Sequence, residues 1–460
     1  MNEKMIVKTN KEEYKVFKYL SLLIPKSFAE RFSEVFEPPT EVMMEKQSLL
    51  RKPITIEDIK KRIVNLKDLT IGTTHNCNLR CKYCIFGGKY PHSRTHNINS
   101  MEMDTFKKAI DFYFSLVNSP LRSTRDDIVL SFYGGEPLLK FDNILKAYDY
   151  AKEKACRNPI KRNLIGMMST NAVLLNQLQA KELLERNFKI SISLDGPKDQ
   201  HDKLRVKIDN TGTFDDILFN ITNLKKRYPD KYRENIRYLL TIHPFHNIKR
   251  IEEFFLSNDE VFNERNLIIA TVDLDKIKGH YKKKWHRANL KQLEQINNKL
   301  DKDKWFYKKM LFSWLERLYI NPTQILKSTT NFTGTCFPGV ENMYVDVDGS
   351  IHICEKINPH FPIGNVFTGI DMAAIIQLMK KWNEIILKRK CWDCDAWWLC
   401  NFCFASRADD RSININKENC QAFLKSAQRS ISKFLNILER EDEIKNINRY
   451  SNIDSYLDSL

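Results

Sequence analysis

Two hydrophobic periods take turns along the middle of this chain. Short apolar runs recur at residues 69–73, 128–133, 164–169, 189–194, 236–242 and 267–271. Between them lie longer stretches with apolar residues at helical spacing, such as Met103, Phe106, Ile110, Phe114 and Val117. Strand-like runs alternating with amphipathic helices predict an α/β fold in which a parallel sheet is joined by crossover helices, over roughly residues 67–271. Before this region, Tyr14, Phe17, Leu20, Leu23 and Ile24 recur at helical spacing, as do Ile59, Ile63 and Leu66 beyond a Pro38-Pro39 break. That pattern predicts a mainly helical extension over residues 1–66. After it, residues 272–335 lose the alternation and read as a charged helical connector with Trp285, Trp305 and Trp314 packing one face. Residues 426–460 read as a helical tail.

Composition narrows the class. At 460 residues the chain can bury several sizeable cores, so it does not need disulfide staples. Its N-terminus, Met-Asn-Glu-Lys-Met, opens on charge, and no window of about 18 uninterrupted apolar residues exists. These features predict a cytoplasmic protein, and eleven cysteines, mostly clustered, then point to metal rather than disulfides. The net charge of +16 would suit a nucleic acid, an anionic membrane surface or an acidic peptide, and chooses none of them. Its densest run, Lys282-Lys283-Lys284 with Arg287 and Lys291, reads as a solvated helix face. Cys156, alone in a helical stretch, reads as a small buried hydrophobe. With only 14 glycines in the chain, the doublets Gly87-Gly88 and Gly134-Gly135 mark close backbone approaches.

The first cysteine group is Cys77-Asn78-Leu79-Arg80-Cys81-Lys82-Tyr83-Cys84, in which C-x3-C-x2-C follows directly on the first predicted strand. Three such thiolates can hold three irons of a 4Fe-4S cube and leave the fourth iron for an outside ligand. A second array comprises Cys336, Gly349, Cys354, Cys391, Cys394, Cys400, Cys403 and Cys420, with Trp392, Trp397 and Trp398 interleaved. Pairs of C-x2-C also describe a structural zinc ribbon. Joined to the basic charge, that would make a zinc-binding, nucleic-acid-binding protein. Zinc explains nothing about Cys77 or Gly134-Gly135-Glu136, and the cysteine region lacks a basic recognition helix.

With Tyr83 before its third cysteine, the first group resembles the radical SAM enzymes. The second, with its G-x4-C pair and C-x2-C-x5-C core, resembles the SPASM module of their peptide-modifying members; it departs in having C-x2-C from Cys400 to Cys403 where C-x3-C is usual. The resemblance implies a partial (β/α)6 radical SAM barrel over residues 67–271, its site at the C-terminal strand ends. A small C-terminal SPASM iron-sulfur domain over 336–425 would follow. It also implies binding of S-adenosyl-L-methionine and its reductive cleavage to a 5'-deoxyadenosyl radical that abstracts hydrogen from a substrate carbon.

Gly134-Gly135-Glu136-Pro137 matches the family's GGEP motif, which holds the methionyl amino group. Ser169-Thr170-Asn171 resembles the ST-N segment near the cofactor. Within Ser193-Leu194-Asp195-Gly196-Pro197 and its continuation through His201-Asp202 to Arg205, the Ser193 hydroxyl and the Arg205 guanidinium would reach the ribose and the methionyl carboxylate. The implied cofactor-binding set is Tyr83, Gly134, Gly135, Glu136, Pro137, Ser169, Asn171, Ser193, Asp195 and Arg205. The implied iron ligands are Cys77, Cys81 and Cys84, then Cys391, Cys394, Cys400 and Cys420 closing one auxiliary cluster, and Cys336, Cys354 and Cys403 forming a second with one iron open. The implied activity is the modification of a ribosomally made peptide, by a crosslink such as a thioether or C–C bond. The alternative is an anaerobic sulfatase maturase, which oxidises Cys or Ser to formylglycine. The implied partners are a precursor peptide, with an acidic leader suiting the basic balance and the extension over 1–66 a candidate to bind it, and an electron donor such as flavodoxin or ferredoxin; neither membrane nor nucleic acid is implied. No residue is singled out as the catalytic acid or base.

Overall fold

The structure, a computed structural model, describes residues 48–272 and 335–438 apart from short gaps, three strands near the N-terminus, and a few residues between 284 and 310. Thirteen strands are described: β1 (Ile6–Lys8), β2 (Glu13–Phe17), β3 (Leu22–Pro25), β4 (Asp68–Thr74), β5 (Ile128–Gly134), β6 (Leu164–Thr170), β7 (Lys189–Ser193), β8 (Ile236–Ile242), β9 (Leu267–Thr271), β10 (Asn342–Val345), β11 (Ser350–His352), β12 (Gly364–Asn365) and β13 (Gly369–Ile370). The six strands expected from the apolar runs are β4 to β9, parallel and adjacent in chain order. Parallel neighbours need a crossover, and the intervening amphipathic segments supply it. These include α2 (Met103–Val117), α3 (Phe141–Arg157), α4 (Gln177–Glu185), α5 (Phe214–Arg227) and α6 (Ile248–Leu256), preceded by α1 (Ile56–Ile63).

Burial alternates along the strands. On β5, Ile128, Leu130 and Phe132 are buried while Val129, Ser131 and Tyr133 are half-buried on the opposite face. Phe132 joins Phe188 and Tyr148, the latter pair with ring centroids 4.6 Å apart, in the layer between sheet and helices. Burial of each such side chain stabilises the fold by about 1.5–3 kcal/mol, and a Phe132→Ala change would cost about 3–5 kcal/mol. The opposite face forms a lumen. Asp68, Thr70 and Gly72 on β4 and Ser131 and Tyr133 on β5 share it, because they alternate with the core-facing Leu69, Ile71 and Phe132.

Three features depart from the sequence reading. Residues 13–17 and 22–25 form strands rather than a helix: β1, β2 and β3 make a separate antiparallel sheet. Within Glu13–Phe17 polar and apolar residues alternate, and Tyr14 and Val16 fall on one face of a strand; the spacing that predicts a helix runs straight through the reversal between β2 and β3. Ile59 and Ile63 are helical and buried, as expected.

Second, the sheet does not stop at β4. β10 pairs parallel with β4, and β11, β12 and β13 continue it antiparallel, giving ten strands in the order β13-β12-β11-β10-β4-β5-β6-β7-β8-β9. Third, Cys156 is exposed, near the end of α3 and beside the buried Ala155.

Helices α7 (Met372–Arg389) and α8 (Lys417–Leu438) complete the C-terminal part, and β1 lies beside α8. Trp305 is described, next to Phe306, whose ring stacks on Phe255 at 5.7 Å. Pro38, Pro39, Lys282, Lys283, Trp285, Arg287, Lys291, Trp314, Trp398 and residues 439–460 lie outside the described residues. No helix among the described residues is long and apolar enough to cross a membrane.

Candidate functional site: thiols at the strand ends

The first cysteine loop leaves the C-terminal end of β4 and is seated on the turn after β5. Gly135 N–H donates to Thr74 O (2.7 Å) and Glu136 N–H to Asn76 O (2.9 Å). A Cβ on Gly135 would lie 2.1 Å from Asn76 O, and one on Gly134, whose φ is +131°, would lie 2.4 Å from Thr74 O. The glycine pair therefore permits a close approach between two protein backbones.

Cys77 Sγ accepts from Leu79 N–H at 3.4 Å and faces Asn171 Nδ2 at 3.8 Å. Cys84 N–H donates to Cys81 O (3.1 Å), closing the turn that carries the second and third thiols. The loop is stitched to the segment bearing Arg205: Arg80 N–H donates to Val206 O (2.7 Å) and Lys82 N–H to Leu204 O (2.8 Å).

Arg205 and Asp195 form a buried pair beside these thiols. Arg205 Nε donates to Asp195 Oδ2 at 2.9 Å, and its Nη1 lies 4.0 Å from Cys81 Sγ. The Tyr83 hydroxyl donates to the same carboxylate oxygen, and the Tyr83 ring lies under the guanidinium, 5.3 Å from its carbon. Thr241 N–H donates to Asp195 Oδ1 (2.9 Å), while Asp195 N–H donates to His201 Nδ1 (3.1 Å). Burial is the largest influence and would raise the Asp195 carboxyl, but Arg205, His246, His201 and the Tyr83 hydroxyl together outweigh it and hold the group below the usual carboxylate range. Burial likewise pushes the Tyr83 phenol up.

Glu136 is 1 % exposed, and its carboxylate already serves the protein. Oε1 accepts from Thr170 Oγ1 (2.6 Å) and Leu138 N–H (3.1 Å), and Oε2 accepts from Asn171 N–H (2.8 Å). Asn171 Nδ2 passes the connection on to Asn78 Oδ1 at 2.8 Å. This carboxylate thus ties the turn after β5 to the end of β6 and to the cysteine loop. Pro137, buried, opens a short helical turn directly after it. Ser169 and Ser193 stand half-buried near the ends of β6 and β7, on the lumen side of the alternation. Asp195 and Arg205 pair with each other, and Thr170 and His201, from two of the segments quoted above, complete the network with Asn78 of the cysteine loop.

The C-terminal thiols fall into two groups. Burial pushes Cys391 and Cys400 up to about 12, and the next influences on Cys391 are the charges of Cys420 and Cys394; Cys400 senses Cys391, Cys394 and Cys420. Burial pushes Cys336 up to about 11 and Cys354 to about 12, and both sense Cys403. Cys391 and Cys400 thus feel the charges of Cys394 and Cys420, while Cys336 and Cys354 feel that of Cys403. Arg389 Nη1 lies 3.7 Å from Cys420 Sγ, and Trp397 is buried within this region.

In the first loop burial raises all three thiols, Cys84 to about 12, and each of Cys77 and Cys84 also senses its neighbours. Buried thiols held neutral are poor nucleophiles. Among the described residues no three His, Cys, Asp or Glu side chains converge on a point where one ion could bind.

An unclosed parallel barrel with a three-thiol loop at its strand ends defines a class, and the comparisons agree. Residues 71–256 match the Radical SAM superfamily. The chain is 30% identical over 241 residues to an uncharacterized protein of Methanocaldococcus jannaschii, covering 52% of this chain and 71% of that one. It is 26% identical over 370 residues, 78% of this chain and 93% of the relative, to a cysteine-type anaerobic sulfatase-maturating enzyme of Clostridium novyi. The solved structure of native anSMEcpe with bound AdoMet and Cp18Cys peptide shares the fold, with a TM-score of 0.57 and 20% identity over 82% of this chain and 99% of that one. The chain belongs to the radical SAM superfamily, whose members use a 4Fe-4S cluster and S-adenosyl-L-methionine.

Proposed function

We propose that this enzyme modifies a ribosomally made peptide, joining two of its side chains by a crosslink such as a thioether or carbon–carbon bond. What supports the reading is that Cys391 and Cys400 sense Cys394 and Cys420 while Cys336 and Cys354 sense Cys403, a grouping of four thiols and three. Cys391, Cys394, Cys400 and Cys420 would hold a closed auxiliary cluster. Cys336, Cys354 and Cys403 would hold one with an iron open to an outside ligand. Cys77, Cys81 and Cys84 would hold the cluster that binds S-adenosyl-L-methionine. When bound, that pair supplies the hydrogen-abstracting chemistry of the family.

The chain's own residues provide the cradle. Arg205, held charged by Asp195 and Tyr83, would receive the methionyl carboxylate by a charge-assisted hydrogen bond. The Glu136 carboxylate is engaged by Thr170, Leu138 and Asn171, so the methionyl ammonium would meet the backbone of the Gly134-Gly135 turn, with Glu136 keeping that turn in place. Ser169 and Ser193 would face the nucleoside.

A second reading has specific support. The sulfatase-maturating relative is covered over 93% of its length, so formation of formylglycine on a protein Cys or Ser is the alternative. The same alignment leaves 22% of this chain outside it (100% less 78%), which favours a further task such as gripping a leader peptide. Co-expression with any short peptide-coding frame found adjacent to the gene, and separately with a sulfatase, followed by mass spectrometry, tests both. Loss of two hydrogens with a crosslinked fragmentation pattern supports the proposal; a Cys or Ser side chain turned to an aldehyde in a sulfatase supports the alternative.

A further inference from the structure

Two segments 250 residues apart are fastened together inside the protein, and each adjoins a set of thiols. Arg94, 7 % exposed, follows the first cysteine loop and is anchored back onto it: Ser93 Oγ donates to Ile85 O (2.8 Å), and His96 N–H donates to Phe86 O (3.1 Å). From there its guanidinium reaches the C-terminal part. Nε donates to Asp346 Oδ2, and Nη1 donates to the carbonyls of Glu355 (3.0 Å) and Ile357 (3.1 Å). Those two carbonyls flank the turn that begins at Cys354, where Ile357 N–H donates to Cys354 O. The guanidinium also lies 4.6 Å from the centre of the Tyr344 ring.

Asp346 is held from a second side, because His75, two residues before Cys77, places Nε2 2.6 Å from its Oδ1. Burial would raise the Asp346 carboxyl, but His75 and Arg94 outweigh it and hold it well below the usual range. A planar fork that bonds one carboxylate and two carbonyls while stacking on an aromatic ring is a task for Arg and not for Lys.

We propose that Arg94 is the positioning residue of the Cys336/Cys354/Cys403 cluster, fixing the Cys354 turn against the first cysteine loop through Glu355 O, Ile357 O and Asp346. The inference rests on the cluster assignment made under Proposed function. Arg94 touches no reacting atom; it sets the direction in which the Cys354 thiolate meets its iron, and thereby the electronic state of that cluster.

The test uses anaerobically reconstituted full-length holoenzyme and its Arg94→Ala, Arg94→Lys and Cys354→Ser variants. Iron content, low-temperature electron paramagnetic resonance and a reductive titration are read in the presence and absence of S-adenosylmethionine. The parent should hold about 12 irons per chain in three clusters, one signal responding to S-adenosylmethionine and another vanishing in Cys354→Ser. Arg94→Ala should displace the shape and midpoint potential of that Cys354-dependent signal, or lose it with iron falling to about 8, leaving the other two in place as an internal check on folding. Arg94→Lys should not restore it. Three unchanged signals in Arg94→Ala, or equal loss of all three, would overturn the proposal. A parent with only about 4 irons and one responsive signal would instead refute the auxiliary-cluster reading, and the inference with it.

Discussion

Replacing Arg205 by methionine removes the charge from the Asp195 pair while keeping most of the side-chain volume. Asp195 is fully buried and Arg205 is 7 % exposed, so the change leaves a buried carboxylate with only the Tyr83 hydroxyl and Thr241 N–H as donors. Breaking a buried pair from one side costs about 3–5 kcal/mol. If the barrel unfolds as one unit, that lowers its melting temperature by about 6–20 °C. The pH dependence identifies the cause. In the parent the Asp195 carboxyl sits below its unfolded value, so its contribution is complete above that value and is lost only as pH falls through the folded one. Between pH 5.5 and 8 the parent should therefore be flat with respect to this group. Without Arg205, burial governs and the folded value rises above the unfolded one, so the variant loses stability as pH rises through that window. Anaerobic thermal melts at several pH values measure the gap, which should widen from pH 5.5 to 8. Arg205→Met/Asp195→Leu should recover part of the loss. A gap independent of pH, or a double variant no more stable than the single one, would refute the reasoning.

Three further outcomes follow from the same geometry. Cys81→Ala should abolish 5'-deoxyadenosine formation from S-adenosylmethionine and dithionite while about 8 irons per chain remain; normal nucleoside yield would remove Cys81 from the iron ligands. Burial raises Asp68 to about 6 despite its hydrogen bond from Ser131, so ionising it should cost the fold about 3 kcal/mol as pH rises from about 4 to 6. Asp68→Asn should lose less stability than the parent across that interval in thermal melts, and a variant with the parent's slope would contradict the assignment. Glu136→Gln places an amide donor against either Leu138 N–H or Asn171 N–H, so it should destabilise by about 1–3 kcal/mol and disturb the resonance spectrum of the cluster at Cys77; a melt and spectrum identical to the parent's would show that Asn171 is held in place without Glu136.

What the sequence disclosed depended on the range of the interaction. The core strands β4 to β9 were legible because each declares itself within a handful of residues, and a parallel sheet leaves each strand bounded by an amphipathic crossover helix. The first thiol loop was legible for the same reason, since its spacing is set within eight residues. The N-terminal strands were not, because Tyr14, Phe17 and Leu23 satisfy a helical period only if the chain never reverses, and β2 and β3 reverse between them. Glu136 shows a subtler limit. A carboxylate after two glycines invites a ligand in sequence, but nothing local announces Thr170 and Asn171, which also bond it and arrive from the next strand. Arg94 and Asp346 carried no signal, because each finds its partner 252 residues away.

The placement of β10 explains why such distant contacts can be reliable. An unclosed barrel has an edge at β4, and an unpaired edge is open to chance pairing. β10 occupies it in a fixed parallel register, with Tyr344 opposite Thr70. The same strand, β4, ends in the loop of Cys77, Cys81 and Cys84. Gly72 completes the fit, since a Cβ there would lie 2.1 Å from the Tyr344 hydroxyl, so any side chain at this position would meet the buried Tyr344 ring. Backbone pairing on one side and the Arg94 fork on the other therefore locate the Cys354 turn from the very strand that carries the first thiols.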